Sequence, residues 1–232
     1  SGGSRRGSVG GTGKLRYRAT GTLWRSGMRG SRDEEGTGDA RFGKSYYDRF
    51  YESPKTRVHG AAEIAHLGMG ILGFARWFGV PVTSVLEVGA GTGLLRDWFV
   101  AQAPGVHYRS VEVSEYACEK YRHEQKDIRR WRSDETYDLV ICQGVLPYLP
   151  QAEAAAALAN LASMTGAFLY LEAVTDKDLR EVCDNDRTDL TMYGHSARFY
   201  RDILKMAFRE LGLGLFAKRD AEIPFYELEA KK

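Results

Sequence analysis

Glu87-Val88-Gly89-Ala90-Gly91-Thr92-Gly93 sets an acid two residues ahead of three alternating glycines. Glycine accepts positive φ and lets a ligand come close to the backbone. A helix start behind such a turn has N–H groups without intrahelical partners. A bound cofactor suits this pattern. Further along, Glu112 stands in Val-Glu-Val-Ser, Asp127 precedes Ile128, and Gln143 follows an apolar run ending at Cys142. An ionised carboxylate only accepts hydrogen bonds, so such acids suit ligand hydroxyl and amino groups.

The elements that position these residues follow from hydrophobic periodicity. Residues 84–88 read as a strand, 89–93 as a tight turn and 94–102 as a helix. Residues 107–113 make a second strand, and Ser114 can cap a helix over 115–124. A weak third strand ends at Asp127-Ile128. Residues 137–142 are apolar throughout, as in a parallel strand buried on both faces. A helix over 151–164 and a fifth strand over 167–171 follow. Residues 172–195 form a loop, and Ser196 caps a helix whose apolar face runs from Phe199 to Leu211. Segments 214–217 and 224–228 are expected to close the chain as a hairpin. Alternating strands and helices with a final hairpin imply a mostly parallel α/β sheet. Upstream, Tyr46, Tyr47, Phe50 and Tyr51 cluster. Ile64, Leu67, Ile71, Phe74 and Phe78 then recur with helical spacing. Gly68, Gly70 and Gly73 weaken that helix, so packing must hold it.

The ordered motifs resemble those of the class I S-adenosylmethionine (SAM)-dependent methyltransferases, whose first motif reads acid-x-G-x-G-x-G. The resemblance covers about residues 80–230. It rests on the glycine turn, on Glu112, on Asp127-Ile128 and on the run through Gln143. It implies a Rossmann-like sheet of seven strands in the order 3-2-1-4-5-7-6, with helices on both faces and an N-terminal helical lid. It divides the chain into a flexible basic tail (1–43), a lid segment (44–79) and a SAM-binding domain (80–232). Cofactor contacts then fall on Glu87, Gly89, Ala90, Gly91 and Gly93, on Glu112, Val113, Asp127, Ile128 and Gln143, and on Tyr47 and Arg57 of the lid. Glu112 would grip the ribose diol, Asp127 the adenine amino group, and Glu87 the ammonium of the methionine part. The product would be S-adenosylhomocysteine (SAH). His195, in the region bordering the substrate mouth, and Tyr148, just past the fourth strand, are the catalytic candidates; His59 and His66 rank below them, and His107 and His123 look structural or exposed.

Other readings stay open. NAD would also use an acid at the place of Glu112, but Leu94 replaces the third glycine of G-x-G-x-x-G, and Glu87 would repel a pyrophosphate. A binding module without catalysis fits the same turn. Residues 143–146 read Gln-Gly-Val-Leu rather than Asn/Asp-Pro-Pro-Tyr, which disfavours methylation of nucleic-acid bases. Gln143 is not the metal-binding Asp of catechol-type enzymes, and no metal is expected; Asp184 to Asp186 read as a solvated loop.

Composition bounds the partners. The 232 residues carry a net charge of +2, and residues 1–40 alone carry +4, which leaves −2 for the rest. The body therefore has no broad nucleic-acid footprint. The basic arm invites a second reading, RNA binding, but offers no stacking platform. Three scattered cysteines point to a reducing compartment, so a cytoplasmic location is expected. No run of residues is apolar enough to span a membrane. A small-molecule substrate is the expected partner. Oligomeric state is not legible.

Overall fold

The computed structural model describes residues 41–230. The basic, glycine-rich stretch 1–40 lies outside them, and with it all of the expected tail but residues 41–43, of which Phe42 accepts at its carbonyl from Ser114 Oγ.

Seven strands form one sheet in the order β3-β2-β1-β4-β5-β7-β6. They are β1 (Ser84–Val88), β2 (His107–Glu112), β3 (Glu124–Gln125), β4 (Tyr137–Gln143), β5 (Thr165–Glu172), β6 (Phe208–Gly212) and β7 (Leu215–Lys218). The strands from β3 across to β5 are parallel, and β7 runs antiparallel to both β5 and β6. This is the expected order and the expected Rossmann-like architecture. The order reverses between β1 and β4, where both neighbours of β1 leave a crevice at their carboxyl ends.

The central strands are buried on both faces because each alternates between two apolar layers. In β4, Val140 and Cys142 face one layer with Leu158, Leu161 and Leu204, while Leu139 and Ile141 face the other with Ile71, Leu72 and Phe99. The first layer belongs to α5 (Gln151–Met164) and α7 (Ala197–Leu204). The second belongs to α2 (Ala61–Trp77) and α3 (Leu94–Gln102). The remaining helices are α1 (Lys44–Tyr47), α4 (Glu115–Tyr121) and α6 (Asp176–Glu181).

The expected lid over 44–79 divides in two. Only its first part, α1 and the π-helical turn Asp48–Glu52 that continues it, brings aromatic residues over the crevice. The second part, α2, is a layer of the sheet. Its buried face is Ile64, Gly68, Ile71, Leu72 and Ala75, rotated from the expected one, and Phe74 is exposed. Gly68 lies on the buried face, where a Cβ would sit 2.4 Å from the Trp98 ring of α3. The glycine that weakens the isolated helix is what lets the two helices meet.

The chain's end also departs from expectation. The last long helix stops at Leu204, and residues 208–212 form β6 instead of a further helical turn. Segment 224–228 is not a strand. The hairpin pairs β6 with β7 across Leu213-Gly214, whose φ values of 52° and 78° suit a two-residue hairpin turn. Phe208-Arg209-Glu210-Leu211 is compatible with both periods, and this turn decides it. Phe225 packs on Phe78 instead of pairing.

Candidate functional site

The glycine turn closes β1 and opens α3. Gly89, Gly91 and Gly93 have φ of 76°, 53° and 75°, which side chains rarely adopt. At Gly89 space is also decisive, since a Cβ would come within 2.1 Å of Val145 Cγ2. The N–H groups of Gly89 and Ala90 both donate to the Val111 carbonyl, at 2.9 and 3.2 Å, which ties the turn to β2.

Glu112 ends β2 directly beside this turn. Its carboxylate accepts from Gly91 N at 2.9 Å on one oxygen, and from Val113 N at 2.8 Å and Ser114 N at 3.1 Å on the other. Burial pushes its pKa up, against those three backbone donors, which favour the ionised form. A carboxylate offers about four acceptor positions. Three are used and one remains, and Glu112 lines a groove beside the turn.

That groove encloses about 870 Å³, its open mouth included. Gly89, Gly91, Glu112, Val113, Asp127, Ile128, Gln143, Tyr47 and Tyr148 line it, so the structure brings most of the sequence-derived candidates to one place. Tyr46 and Tyr51 join them, as does Arg129. Asp127 is not free as expected: Arg129 holds it through an ion pair at 2.7 Å and also reaches Glu153 at 2.9 Å. Burial works to raise the Asp127 pKa, yet the Arg129 hydrogen bonds and charge leave it below the usual range.

A second cavity, of about 1120 Å³ with its mouth, shares Gly89, Gly91, Gln143 and the tyrosines 46, 51 and 148 with the first. Glu87, Ala90, His59, Glu172 and Asp189 belong to this one. Glu87 is buried and accepts from Tyr108 Oη at 2.8 Å. Burial pushes its pKa up to about 8, with the Tyr108 hydrogen bond opposing. Below that pH it is mostly neutral, so it does not present the standing negative charge the sequence suggested. Gln143 Nε2 donates to Glu172 Oε2 at 3.1 Å. The Tyr46 and Tyr148 hydroxyls share a hydrogen bond of 2.8 Å, and burial raises both pKa values.

Three candidates lie elsewhere. His195 lines neither cavity: its Nε2 faces the Leu149 carbonyl at 2.8 Å, and its ring packs on Phe199 with centroids 4.9 Å apart. Its place at the start of α7 turns it into the protein, so it is not positioned as a base. Arg57 is exposed beyond both cavities, and its carbonyl accepts from Arg187. Gly93 lines neither cavity; it caps α3 in the left-handed conformation. Asp184 is exposed and accepts from the Asp186 N–H. Among the described residues no group of three His, Cys, Asp or Glu converges as a metal site, and no helix is long and apolar enough to cross a membrane.

Several residues went unnoticed in the sequence. Tyr46 and Tyr51 were visible as part of an aromatic cluster. Tyr108 and Glu172 carried no local signal, because only the sheet order brings them to the glycine turn and its cavities, and His123, read as structural or exposed, is buried against Gly91.

Residues 86–167 match the family model of a methyltransferase domain. Among curated proteins none matches. Solved structures do. Streptomyces venezuelae DesVI is 18% identical, with a TM-score of 0.57 over 76% of this chain and 98% of its own. The sugar N-methyltransferase KedS8 of a Streptoalloteichus species is 17% identical, with a TM-score of 0.57 over 87% of this chain and 100% of its own. Magnesium protoporphyrin IX methyltransferase of Synechocystis, with bound SAH, is 18% identical, with a TM-score of 0.51 over 78% and 94%. At these identities the likeness is one of fold.

Proposed function

We propose that this chain, whose residues 86–167 match the model of a methyltransferase domain, transfers the methyl group of SAM to an oxygen or nitrogen of a small molecule. The observation that carries this reading is the Glu112 carboxylate, fixed by the glycine turn it adjoins, at the wall of a groove that opens into a second cavity.

The donor set fits the cofactor. Glu112 keeps acceptor capacity for a hydroxyl of the ribose, and Val113 and Ile128 give apolar faces for a ring. Asp127 can accept from an amino group while Arg129 holds it in place. Glu87, on the other side of the turn, would ionise beside a cationic ammonium. Bound SAM supplies an activated methyl group on a sulfonium. The chain's part is then to orient and to exclude water. Tyr46, Tyr51 and Tyr148 do this from the partition between the cavities. The acceptor belongs in the second cavity, where His59 is the imidazole within the walls.

The near-neutral body, at −2, supports a small-molecule acceptor over a nucleic acid. The likeness of fold to a sugar N-methyltransferase is compatible with that choice. The test is transfer of tritiated methyl from SAM to pooled small metabolites and, separately, to total RNA. Label in the small-molecule fraction supports the reading. Label only in RNA would replace it with the basic-arm alternative.

A further inference from the structure

Resting on the reading that the second cavity receives the methyl acceptor, we propose that this acceptor is a cationic amine, methylated at nitrogen. The cavity combines carboxylates with aromatic rings, the two surfaces that recognise an ammonium.

Glu172 closes β5 within this cavity. It is half-buried, accepts from Gln143 Nε2 at 3.1 Å and Tyr170 Oη at 3.2 Å, and has no ion-pair partner among the described residues. Asp189, its side chain 11% exposed, shares only a long 3.6 Å pair with Arg41. Arg187 is the opposing cation on the wall, but its guanidinium donates to the Arg57 carbonyl at 2.6 and 3.2 Å. Arg187 keeps its charge there and Arg41 offsets Asp189, so Glu172 is a carboxylate of this wall without an ion pair among the described residues. An ammonium beside it would complete that pair.

Aromatic rings supply the rest. The Tyr46 ring lies 5.0 Å from Phe50 and 5.9 Å from Tyr51, and all three line this cavity. Such faces attract ammonium ions. One ring of the same wall already holds a cation, with the Arg41 guanidinium 4.8 Å from the Tyr148 centroid.

The chemistry follows from that wall. The ammonium gives one proton to the His59 imidazole. The freed lone pair forms the N–C bond while the C–S bond breaks and leaves its electron pair on sulfur. Positive charge thus passes from sulfur to nitrogen, where Glu172 and Asp189 face it. A hydroxyl acceptor would draw no such benefit.

The experiment uses the full chain with SAM and a panel of matched pairs: benzylamine and benzyl alcohol, phenethylamine and 2-phenylethanol, glucosamine and glucose. The amine of a pair should be methylated, and its alcohol at least about tenfold more slowly. Glu172→Gln and Asp189→Asn should each lower kcat/KM for that amine by about tenfold, with SAH affinity unchanged within about twofold. Methylation of the alcohols instead, no turnover of any amine while SAH binds, or indifference to both substitutions would overturn the proposal. Failure of SAH to bind the wild-type protein would instead sink the methyltransferase reading beneath it.

Discussion

His123 Nε2 lies 3.2 Å from the carbonyl oxygen of Gly91, the residue whose N–H donates to Glu112. Its other ring nitrogen lies 2.9 Å from Ser110 Oγ and 3.3 Å from Arg96 Nη1. Burial first, and the Arg96 charge second, push its pKa down to about 4. The imidazole is thus neutral at physiological pH. With Arg96 donating to Nδ1, its proton sits on Nε2 and points at Gly91. His123→Ala should weaken SAH binding about fivefold to tenfold, the worth of one hydrogen bond. His123→Gln, which keeps a donor, should recover most of it. Calorimetric titration checks this; unchanged affinity in the alanine variant would show that the turn needs no such support.

Glu112→Gln keeps the shape but loses the charge and turns one oxygen into a donor. Opposed to backbone N–H groups on both sides, the amide clashes with at least one of them. SAH affinity is expected to fall about tenfold to a hundredfold, as for hydrogen bonds to a charged group. The measurement is again calorimetric, with circular dichroism to confirm that the sheet is intact.

Glu87 carries a pH signature. Its folded pKa of about 8 lies above the usual 4.5, so between those values the folded chain binds more protons than the unfolded one. Its contribution to stability is therefore lost as pH rises through that window. Glu87→Gln removes the penalty. The variant should show a higher Tm than the wild type at pH 8 to 9, and no gain at about pH 4. Thermal melts across that range decide it. An equal shift at both ends would mean that Glu87 titrates normally.

Gly89→Ala should abolish SAH binding, because both the φ of 76° and the 2.1 Å approach to Val145 forbid a Cβ. Val145→Ala in the same chain relieves only the clash, so the double variant should recover at most a part. Full recovery would show that backbone conformation is not limiting.

The sheet was legible because its signals are local: apolar runs bounded by glycine, and acids at strand ends. Glu112 could be placed for the same reason, by its distance from the turn. His195 could not. Its chemistry suits a base, but the Leu149 carbonyl that it faces is 46 residues away in sequence. The same holds for His123, which reads as an ordinary residue until β3 pairs beside β2. In α2, the period was visible but the rotation was not, because Trp98, against which Gly68 packs, belongs to another helix. At 208–212 the local pattern fits two periods, and the turn after it settles the outcome.

His195→Ala follows from that placement. It loses a hydrogen bond and the ring contacts with Tyr193, Phe199 and Tyr200, and touches neither cavity. Tm should fall by a few degrees, as for a loss of about 1–2 kcal/mol. The rate of methyl transfer should stay within about twofold. A fall of a hundredfold in kcat with normal SAH affinity would restore it as the base.

The central claim is that the groove beside Glu112 takes the adenosine part of SAM, with the methionine part at the glycine turn that both cavities share. Isothermal titration of the wild-type chain with SAH and, separately, with NAD tests it most directly. The account expects one SAH site per chain, weakened in Glu112→Gln, and no heat from NAD. Binding of NAD, or no binding of SAH to a folded chain, would contradict it.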